Sequence, residues 1–397
     1  MNSANLGAGV QPQVREAIDL LELGPLPFIR GTWYFVDPTS GGNGRAGKSI
    51  ADAVADLPTA YARASDGDGI ALLSYGATSA ATTSYLTKTL AWAKNGITVV
   101  GVAAPVGMFG RARVANKTIT TGALTTISFT ADHTISDSAG GFLAAGFAAG
   151  QTISVSANSG TNSGAFTIET VTATTITTTA ASTHVSTEDA ATAGSTTIVS
   201  YNADLLLLSG ANNRFINVHF WNGGANALEV GGLNITGVRN YFQNCHIVGG
   251  AGAATAATHY SLKLDAAEEN TFVDCAFGSD SFAQGDNAAA EIVLNGVLKR
   301  NRFKGCEILG MVSAGTAHGA VKSVGTSGGA PTAFKSCLFN YGLSTTTLAA
   351  AHLVSGSVDK VILQDCAAVK VTAWGTYVYA NMVAPAASAG GGLATTA

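Results

Sequence analysis

Two histidines are the residues of this chain best placed for acid–base chemistry. His219 and His246 follow Val218 and Cys245 in two similar phrases, NRFINVHF and NYFQNCHI. Imidazoles on adjacent strands can transfer a proton or form half of a metal site. A third ligand is missing at the equivalent position of the later phrases, which hold Ala276, Glu307, Leu338 and Ala367. We therefore predict surface or interface histidines, and no catalytic residues, metal or cofactor.

Carboxylates are the second candidates, because glycan cleavage needs two of them on one exposed face, about 5–10 Å apart in a groove. Several acids fall at corners and connections, where a turn former or solvated charge is expected: Glu268, Glu269, Asp274 and Asp365. Glu229 is matched by Lys263 one phrase later, which predicts an ion pair between neighbouring strands. Motifs typical of serine hydrolases, zinc peptidases and phosphate-binding loops are missing. The sequence predicts that the protein is not an enzyme.

The histidines belong to a phrase that recurs six times and contains all five cysteines. The copies begin at Asn213, Asn240, Asn270, Asn301, Thr332 and Val361. Their large apolar residues are spaced by 27, 30, 31, 31 and 29 residues, and they are Phe215, Phe242, Phe272, Phe303, Phe334 and Leu363. A period of this length is typical of stacked units that bury their apolar faces against one another.

Each copy has the pattern of a strand, a tight corner and a second strand. The corner falls at residues that tolerate a left-handed backbone or form turns: Asn217, Asn244, Asp274, Gly305, Ser336 and Asp365. A further short apolar strand precedes each copy, starting at Leu205, Ala227, Ser261, Glu291, Ala320 and His352. These units leave no room for a helix of ten residues, so the sequence predicts an all-β parallel β-helix.

Two side-chain stacks are predicted along this coil. Asparagines precede the anchor by two residues in four copies, and their amides are expected to form a ladder from rung to rung: Asn213, Asn240, Asn270 and Asn301. The cysteines share one inward-facing position, which favours a buried, reduced stack: Cys245, Cys275, Cys306, Cys337 and Cys366.

With these Asn, Phe and Cys stacks, the region resembles the right-handed parallel β-helix of phage tailspikes and related virion proteins. Residues 31–113, with GTWYFVDPTSGGNGRAGKS at their start, resemble the opening module of many phage β-helix proteins, followed by the first rungs. In this module we expect Ser49 to cap a helix with apolar positions Ile50, Val54, Leu57 and Tyr61. Residues 1–30 are expected to form an arm with a short amphipathic helix from Pro12 to Leu23, as a cap for the coil or a docking arm.

Residues 114–200 lack the repeat and are rich in Thr and Ala. Alternating runs such as TISFTA, QTISVSA and AFTIETV predict half-buried antiparallel strands. We expect a small β-barrel or sandwich inserted into the coil, which continues through residues 201–370. The insertion resembles an adhesive module of phage tail and capsid-associated proteins. Residues 371–397 are expected to form one more strand and a tail.

Composition limits the possible partners. Charged residues are 12% of the 397, the net charge is −4, and no Lys/Arg cluster occurs along the sequence. These values are typical of a protein that binds no nucleic acid, and the sequence contains no apolar run long enough to span a membrane. Val273, Ala276 and Leu338 are expected on the outer face as a contiguous apolar strip, which marks a protein contact.

The resemblance implies a non-enzymatic structural protein of a tailed-phage virion. Its form would be a homotrimer that decorates or cements the capsid, or a head or tail fibre, bound to other virion proteins. The alternative is a tailspike that binds or depolymerises a host surface polysaccharide, which makes a host glycan the further candidate partner.

Overall fold

The architecture comes from a computed structural model, which describes residues 29–73, 82–102, 112–130, 133–180, 186–223, 228–250, 258–279, 281, 290–312, 319–324, 329–344, 354–356 and 361–371. The predicted helix at Pro12–Leu23 and the predicted last strand and tail after Val371 lie outside these residues.

The first module opens the coil with one strand on each side of a helix. Its elements and those of the first rungs are β1 (Trp33–Val36), α1 (Leu57–Arg63), β2 (Gly69–Leu73), β3 (Thr83–Leu86), β4 (Leu90–Trp92), β5 (Thr98–Val102) and β6 (Ala112–Asn116). The expectation that Ser49 caps the helix is wrong. Asp56 is the N-cap, with its carboxylate accepting from Thr59 N at 2.8 Å, because Pro58 fits only the first turn of a helix.

An inserted unit follows β6, and the repeats follow it. The insertion contains β7 (Thr120–Leu124), β8 (Ile127–Thr130), β9 (Thr134–Asp137), α2 (Phe142–Ala145), β10 (Thr152–Ala157), β11 (Gly164–Val171), β12 (Thr175–Thr178), α3 (Ala190–Ala193) and β13 (Thr196–Tyr201). The repeats contain β14 (Asp204–Leu208), β15 (Arg214–Ile216), β16 (Val218–Trp221), β17 (Gly231–Ile235), β18 (Tyr241–Gln243), β19 (His246–Val248), β20 (Tyr260–Asp265), β21 (Thr271–Val273), β22 (Ala276–Phe277), β23 (Ala290–Asn295), β24 (Arg302–Lys304), β25 (Glu307–Leu309), β26 (Gly319–Val324), β27 (Thr332–Lys335), β28 (Leu338–Asn340), β29 (Val354–Gly356), β30 (Val361–Gln364) and β31 (Ala367–Val369).

The strands outside the insertion form three parallel sheets that the chain visits in turn. Sheet A has the order β1-β2-β5-β15-β18-β21-β24-β27-β30, sheet B has β3-β6-β16-β19-β22-β25-β28-β31, and sheet C has β29-β26-β23-β20-β17-β14-β4. Each repeat supplies one strand to each sheet, and the next repeat pairs with it in parallel. The predicted parallel β-helix is confirmed.

Corners between sheets A and B fall where the sequence pattern breaks. Asn217, Asn244, Asp274, Ser336 and Asp365 have φ between 49° and 59°, and Gly305 has φ 62°. One left-handed residue turns the chain without a loop, so the anchor before the corner and the apolar residue after it both face inward. The predicted corners are confirmed.

Aromatic rings fill the interior of the coil behind sheet A. Successive rings of Phe215, Phe242, Phe272, Phe303 and Phe334 are stacked with centroids 4.9, 4.8, 4.6 and 4.4 Å apart. All five are buried. Their regular spacing follows the separation of paired strands, about 4.8 Å.

One predicted strand is shifted in the sequence. The strand expected to start at Ala227 is instead Gly231–Ile235, which pairs with Asp204–Leu208. A side chain at Gly231 would place its Cβ 2.1 Å from Asp204 Oδ1, and one at Gly232 would place its Cβ 2.6 Å from the carbonyl oxygen of Ser261. Close backbone approach therefore selects glycine at the start of this strand, which an apolar pattern does not indicate.

The insertion is an antiparallel sheet with its own core. Its strand order is β7-β13-β10-β11-β12-β9-β8. The first half of β11 pairs with β10, and its second half pairs with β12, with a register shift between Ile168 and Thr170. The core cluster of this unit is separate from that of the coil and includes Phe129, Ile135, Phe142, Ile153 and Ile198.

We predict that the insertion can be removed without unfolding the coil. Its two ends meet at one backbone group, since Lys117 N and Asn202 Nδ2 both donate to the carbonyl of Leu86, at 2.8 and 3.0 Å. Replacement of residues 119–200 by a short Gly/Ser bridge should leave the β-rich circular dichroism spectrum and a cooperative thermal transition. An unfolded deletion variant would show that the insertion is part of the coil's folding unit.

The asparagines generate a second prediction. Asn270 Oδ1 accepts from the backbone N and the Nδ2 of Asn240, and Asn270 Nδ2 donates to the carbonyl of Gly237 and to Asn301 Oδ1, all within 2.9–3.2 Å. Asn270→Ala should lower the free energy of unfolding by about 2–4 kcal/mol, because it leaves several buried polar groups unpaired. Urea unfolding measures this loss. Asn295→Ala, on the outer face of sheet C, is the control and should cost well under half as much.

Candidate functional site: the outer faces of the coil

The two histidines lie on the outer face of sheet B. Their rings are stacked, with centroids 4.6 Å apart and an interplanar angle of 8°. His246 Nε2 lies 2.8 Å from the carbonyl oxygen of Gly278, and the ring of His219 meets the edge of Trp221. The Arg113 guanidinium covers the Trp221 ring at 4.6 Å. The histidines are therefore part of a packed surface cluster, and no group of three possible metal ligands occurs among the described residues.

The residues predicted to form an apolar strip do not lie together. Val273 is on sheet A, in register with Gln243 and Lys304. Ala276 and Leu338 are on sheet B, and Glu307 separates them. The corner at Asp274 turns the chain onto the next sheet between Val273 and Ala276. The expectation of one contiguous apolar strip is therefore wrong, although all three residues are only half-buried.

The five cysteines are free and buried in one stack. The Sγ atoms of Cys245, Cys306, Cys337 and Cys366 contact carbonyl oxygens of anchor residues on preceding rungs, at 3.4–3.7 Å. Reactive cysteines are partly exposed, whereas all five of these thiols are buried. The stack is therefore placed for packing and not for nucleophilic chemistry.

The asparagines predicted to form a ladder occupy buried positions at the end of the corner between sheets C and A. Asn213 donates to Asn240, Asn240 to Asn270, and Asn270 to Asn301, each through both the backbone N and Nδ2. These side chains are internal and unable to contact a ligand.

Most of the coil carboxylates that the structure describes are bound by neighbouring residues. Lys299 Nζ donates to Glu268 at 2.7 Å, and Arg239 and Arg300 both donate to Glu269. Glu291 is buried and accepts from Ser261 Oγ at 2.6 Å. Asp274 and Asp365 are corner residues.

The predicted ion pair between Glu229 and Lys263 is wrong. Glu229 is buried and accepts from Asn116 Nδ2 at 2.8 Å, which joins the first rungs to the repeats across the insertion. Lys263 instead pairs with Asp265 on its own strand, at 2.8 Å. The reason is the shift of the preceding strand to Gly231, which moves Glu229 off sheet C and into the bend before it.

A groove of about 300 Å³ lies on the outer face of sheet C. It is lined by Tyr260 and Lys263 together with Thr258, His259, Ala290, Val293, Asn295, Lys322 and Val324. Tyr260 donates its hydroxyl to Asp204 Oδ1 at 2.5 Å, and Asn234 Nδ2 donates to Asp204 Oδ2 at 3.1 Å. Burial raises the pKa of Asp204 above its usual value of 3.8. Burial and the neighbouring Asp204 also raise the pKa of Tyr260.

Sheet A has a basic outer face, which we call the basic row. It consists of six exposed cations on the strands β15, β24 and β27 or at the corners before β18 and β24: Arg214, Arg239, Arg300, Arg302, Lys304 and Lys335. A groove of about 450 Å³ lies at the end of the row formed by β15 and β18, which we call its upper end. It is lined by Asn212, Arg214, Ile216, Arg239, Tyr241 and Gln243. Hydrogen bonds from Arg300 and then from Arg239 lower the pKa of Glu269, which lies between them.

Sequence reasoning missed this row because its cations are dispersed along the chain. Arg302 pairs in register with Thr271 and Ala333, and Lys304 with Val273 and Lys335. The signal lies at the positions before and after the anchor residues, where Arg214, Arg302, Lys304 and Lys335 occur.

Comparison with known proteins finds no matching family model and no matching curated protein. Sixteen chains of solved structures match. Geobacillus virus E2 ORF18 has a TM-score of 0.41 at 11% identity, covering 92% of this chain and 56% of that chain. A rhamnogalacturonan lyase has 0.38 at 11%, covering 86% and 74%. The tailspike gp49 of Pseudomonas phage LKA1 has 0.24 at 12%, covering 88% and 63%.

These neighbours include an enzyme as well as phage proteins, so they do not distinguish a structural protein from a polysaccharide-cleaving enzyme.

Among the described residues, no helix is long and apolar enough to cross a membrane.

Asp204 generates a prediction about pH. A carboxyl group whose folded pKa is raised stabilises the fold fully below its unfolded pKa, and this stabilisation is lost as the pH rises through the folded pKa. The free energy of unfolding should therefore fall more steeply with pH above about 4 in the wild type than in Asp204→Asn. Urea unfolding between pH 4 and 7 measures the two slopes. Equal slopes in wild type and Asp204→Asn would contradict the assignment.

Proposed function

We propose that this chain is a non-enzymatic structural protein of a tailed-phage virion, which works by attachment along the outer faces of its coil. The observation that carries the proposal is that the carboxylates of the coil are already occupied by hydrogen bonds and ion pairs within the protein. Glu229 and Glu291 are buried in hydrogen bonds, while Glu268, Glu269 and Asp265 are held in ion pairs. Glycosidases need a general acid and a second carboxylate that both face the sugar.

The shape of the coil supports attachment. Sheet B has eight strands in one stack, which gives an outer face about 34 Å long at about 4.8 Å per strand. Coils placed side by side around a symmetry axis would bury area along this whole length, and a closed cyclic arrangement covers the same face on every subunit. A homotrimer that decorates or cements the capsid, or forms a head or tail fibre, uses such a shape directly.

The second candidate is a tailspike that depolymerises a host polysaccharide. The observation in its favour is Asp204, whose raised pKa is typical of a general acid and which accepts a hydrogen bond from Tyr260, a residue that lines the groove on sheet C. Against it, both oxygens of Asp204 already accept hydrogen bonds, and the nearby Asp265 is paired with Lys263. Attachment without cleavage therefore remains the proposal.

The test measures the oligomeric state of the chain and its binding to phage particles. The purified chain should behave as a trimer in light scattering, and Leu338→Asp should shift it toward the monomer because it places a carboxylate beside Glu307 and Ala367 on the outer face of sheet B. Leu338→Thr is the matched control and should retain the trimer. The double variant His219→Ala/His246→Ala should still bind phage particles that lack the protein.

Two results would contradict the proposal. One is a wild-type monomer both in solution and on the particle. The other is the release of sugars from bacterial surface polysaccharide, abolished by Asp204→Asn or by the histidine double variant, which would establish the tailspike enzyme instead.

A further inference from the structure

The basic row of sheet A concentrates positive charge on one face of an acidic protein. Six cations lie there against three carboxylates on the same face and its corners, Glu269, Asp274 and Asp365, which gives a net charge of +3. The whole chain has a net charge of −4. The rest of the molecule therefore repels anions while this face attracts them.

The row is linear and parallel to the coil axis. Arg214 on β15 and Lys335 on β27 are separated by four strand intervals, or about 19 Å at about 4.8 Å per strand. Arg214, Arg302, Lys304 and Lys335 are exposed and form no ion pair within the described part of the chain. Arg302, Lys304 and Lys335 lie on the adjacent strands β24 and β27, and Arg214 lies three strands away on β15. An extended ligand that spans these strands can meet all four, whereas a small molecule can meet one or two.

The chemistry of the row fits carboxylates. Arginine forms planar paired hydrogen bonds with carboxylate oxygens, and the row already binds one carboxylate of its own. Glu269 accepts from Arg239 Nε at 2.6 Å and from Arg300, so it orders both guanidinium groups without a ligand. The cations of the neighbouring rungs are left for carboxylates from outside.

The groove at the upper end of the row indicates a carbohydrate. Tyr241 is half-buried there, and its hydroxyl lies 3.3 Å from Gln243 Oε1. Asn212 and Gln243 add amides that both donate and accept, which matches sugar hydroxyls. Single-stranded nucleic acid is bound by several aromatic rings that stack successive bases, and Tyr241 is the one aromatic side chain among the described residues that line this groove.

We propose that the basic row binds an acidic polysaccharide, a linear chain of sugars carrying carboxylates, laid along the coil axis. This proposal rests on the proposed function, since it names a polymer to which the outer face of a virion protein of this kind would attach. It requires no cleavage of the polymer.

The experiment measures binding of the full-length chain to immobilised polygalacturonate, with neutral dextran and poly-dT as comparison polymers. Arg302→Glu/Lys304→Glu should raise Kd about tenfold or more, because two exposed attractions become repulsions. Lys48→Glu/Lys117→Glu changes the net charge equally at exposed lysines outside the row and should change Kd less than about twofold. Binding should weaken as sodium chloride rises, since exposed charges are screened.

Three results would overturn the inference: no binding of polygalacturonate by the wild type, equal losses in the two double variants, or tighter binding to poly-dT. Thermal unfolding of both variants shows whether a loss comes from misfolding; if Arg302→Glu/Lys304→Glu unfolds, Arg302→Gln/Lys304→Gln replaces it. Failure of the proposed function can be distinguished from failure of the binding inference. Shortening of the bound polymer would overturn the non-enzymatic proposal and leave the binding inference intact. Unchanged trimer formation with no polymer binding would overturn the binding inference and leave the proposed function intact.

Discussion

The structure depends on the register between successive rungs. Parallel strand pairing fixes the rise per rung at about 4.8 Å, so each side chain lies above its equivalent 27–31 residues earlier. An inward position is stable only if like side chains stack well on one another. Phenyl rings do so nearly parallel, with angles of 7–14°, and the asparagine amides do so by donating and accepting at once. Both stacks fix the register, because a slip of one residue would expose the rings and break every hydrogen bond between the asparagine side chains.

The same register acts on the outer faces, where it brings together charges that are far apart in the sequence. Like charges that stack rung upon rung repel one another, and the coil limits this cost by placing an acid between two cations, as Glu269 lies between Arg239 and Arg300. Where the acid is omitted, at Arg302, Lys304 and Lys335, the repulsion stays in the free protein. A bound anion would relieve it, and this gives the row a physical reason to bind.

Sequence reasoning was effective where the period itself carries the information. The anchors, the corners and the parallel coil could be predicted because six copies repeat the same constraint. It failed where one rung departs from the pattern through a contact with a distant segment. Gly231 is required by the close approach of Asp204 and Tyr260, and Glu229 is bound by Asn116 from before the insertion. Helix α1 starts at Leu57 because of its Asp56 cap, a local signal that the apolar pattern outweighed.

The upper end of the asparagine ladder shows how the coil continues across the insertion. Asn213 has no asparagine on the rung before it, and its Oδ1 accepts instead from Trp92 Nε1 at 3.3 Å and from Ile97 N at 3.0 Å. Trp92 in turn packs against Phe215 and against Tyr61 of α1. Lys94 Nζ donates to the carbonyls of Tyr61, Ala62 and Ala64 and so binds the end of this helix. The polar and aromatic stacks of the repeats therefore both end on the first module. Because these contacts join residues more than 110 positions apart without involving the insertion, the first module and the repeats share one core. We expect them to unfold as one cooperative unit, with the insertion outside it.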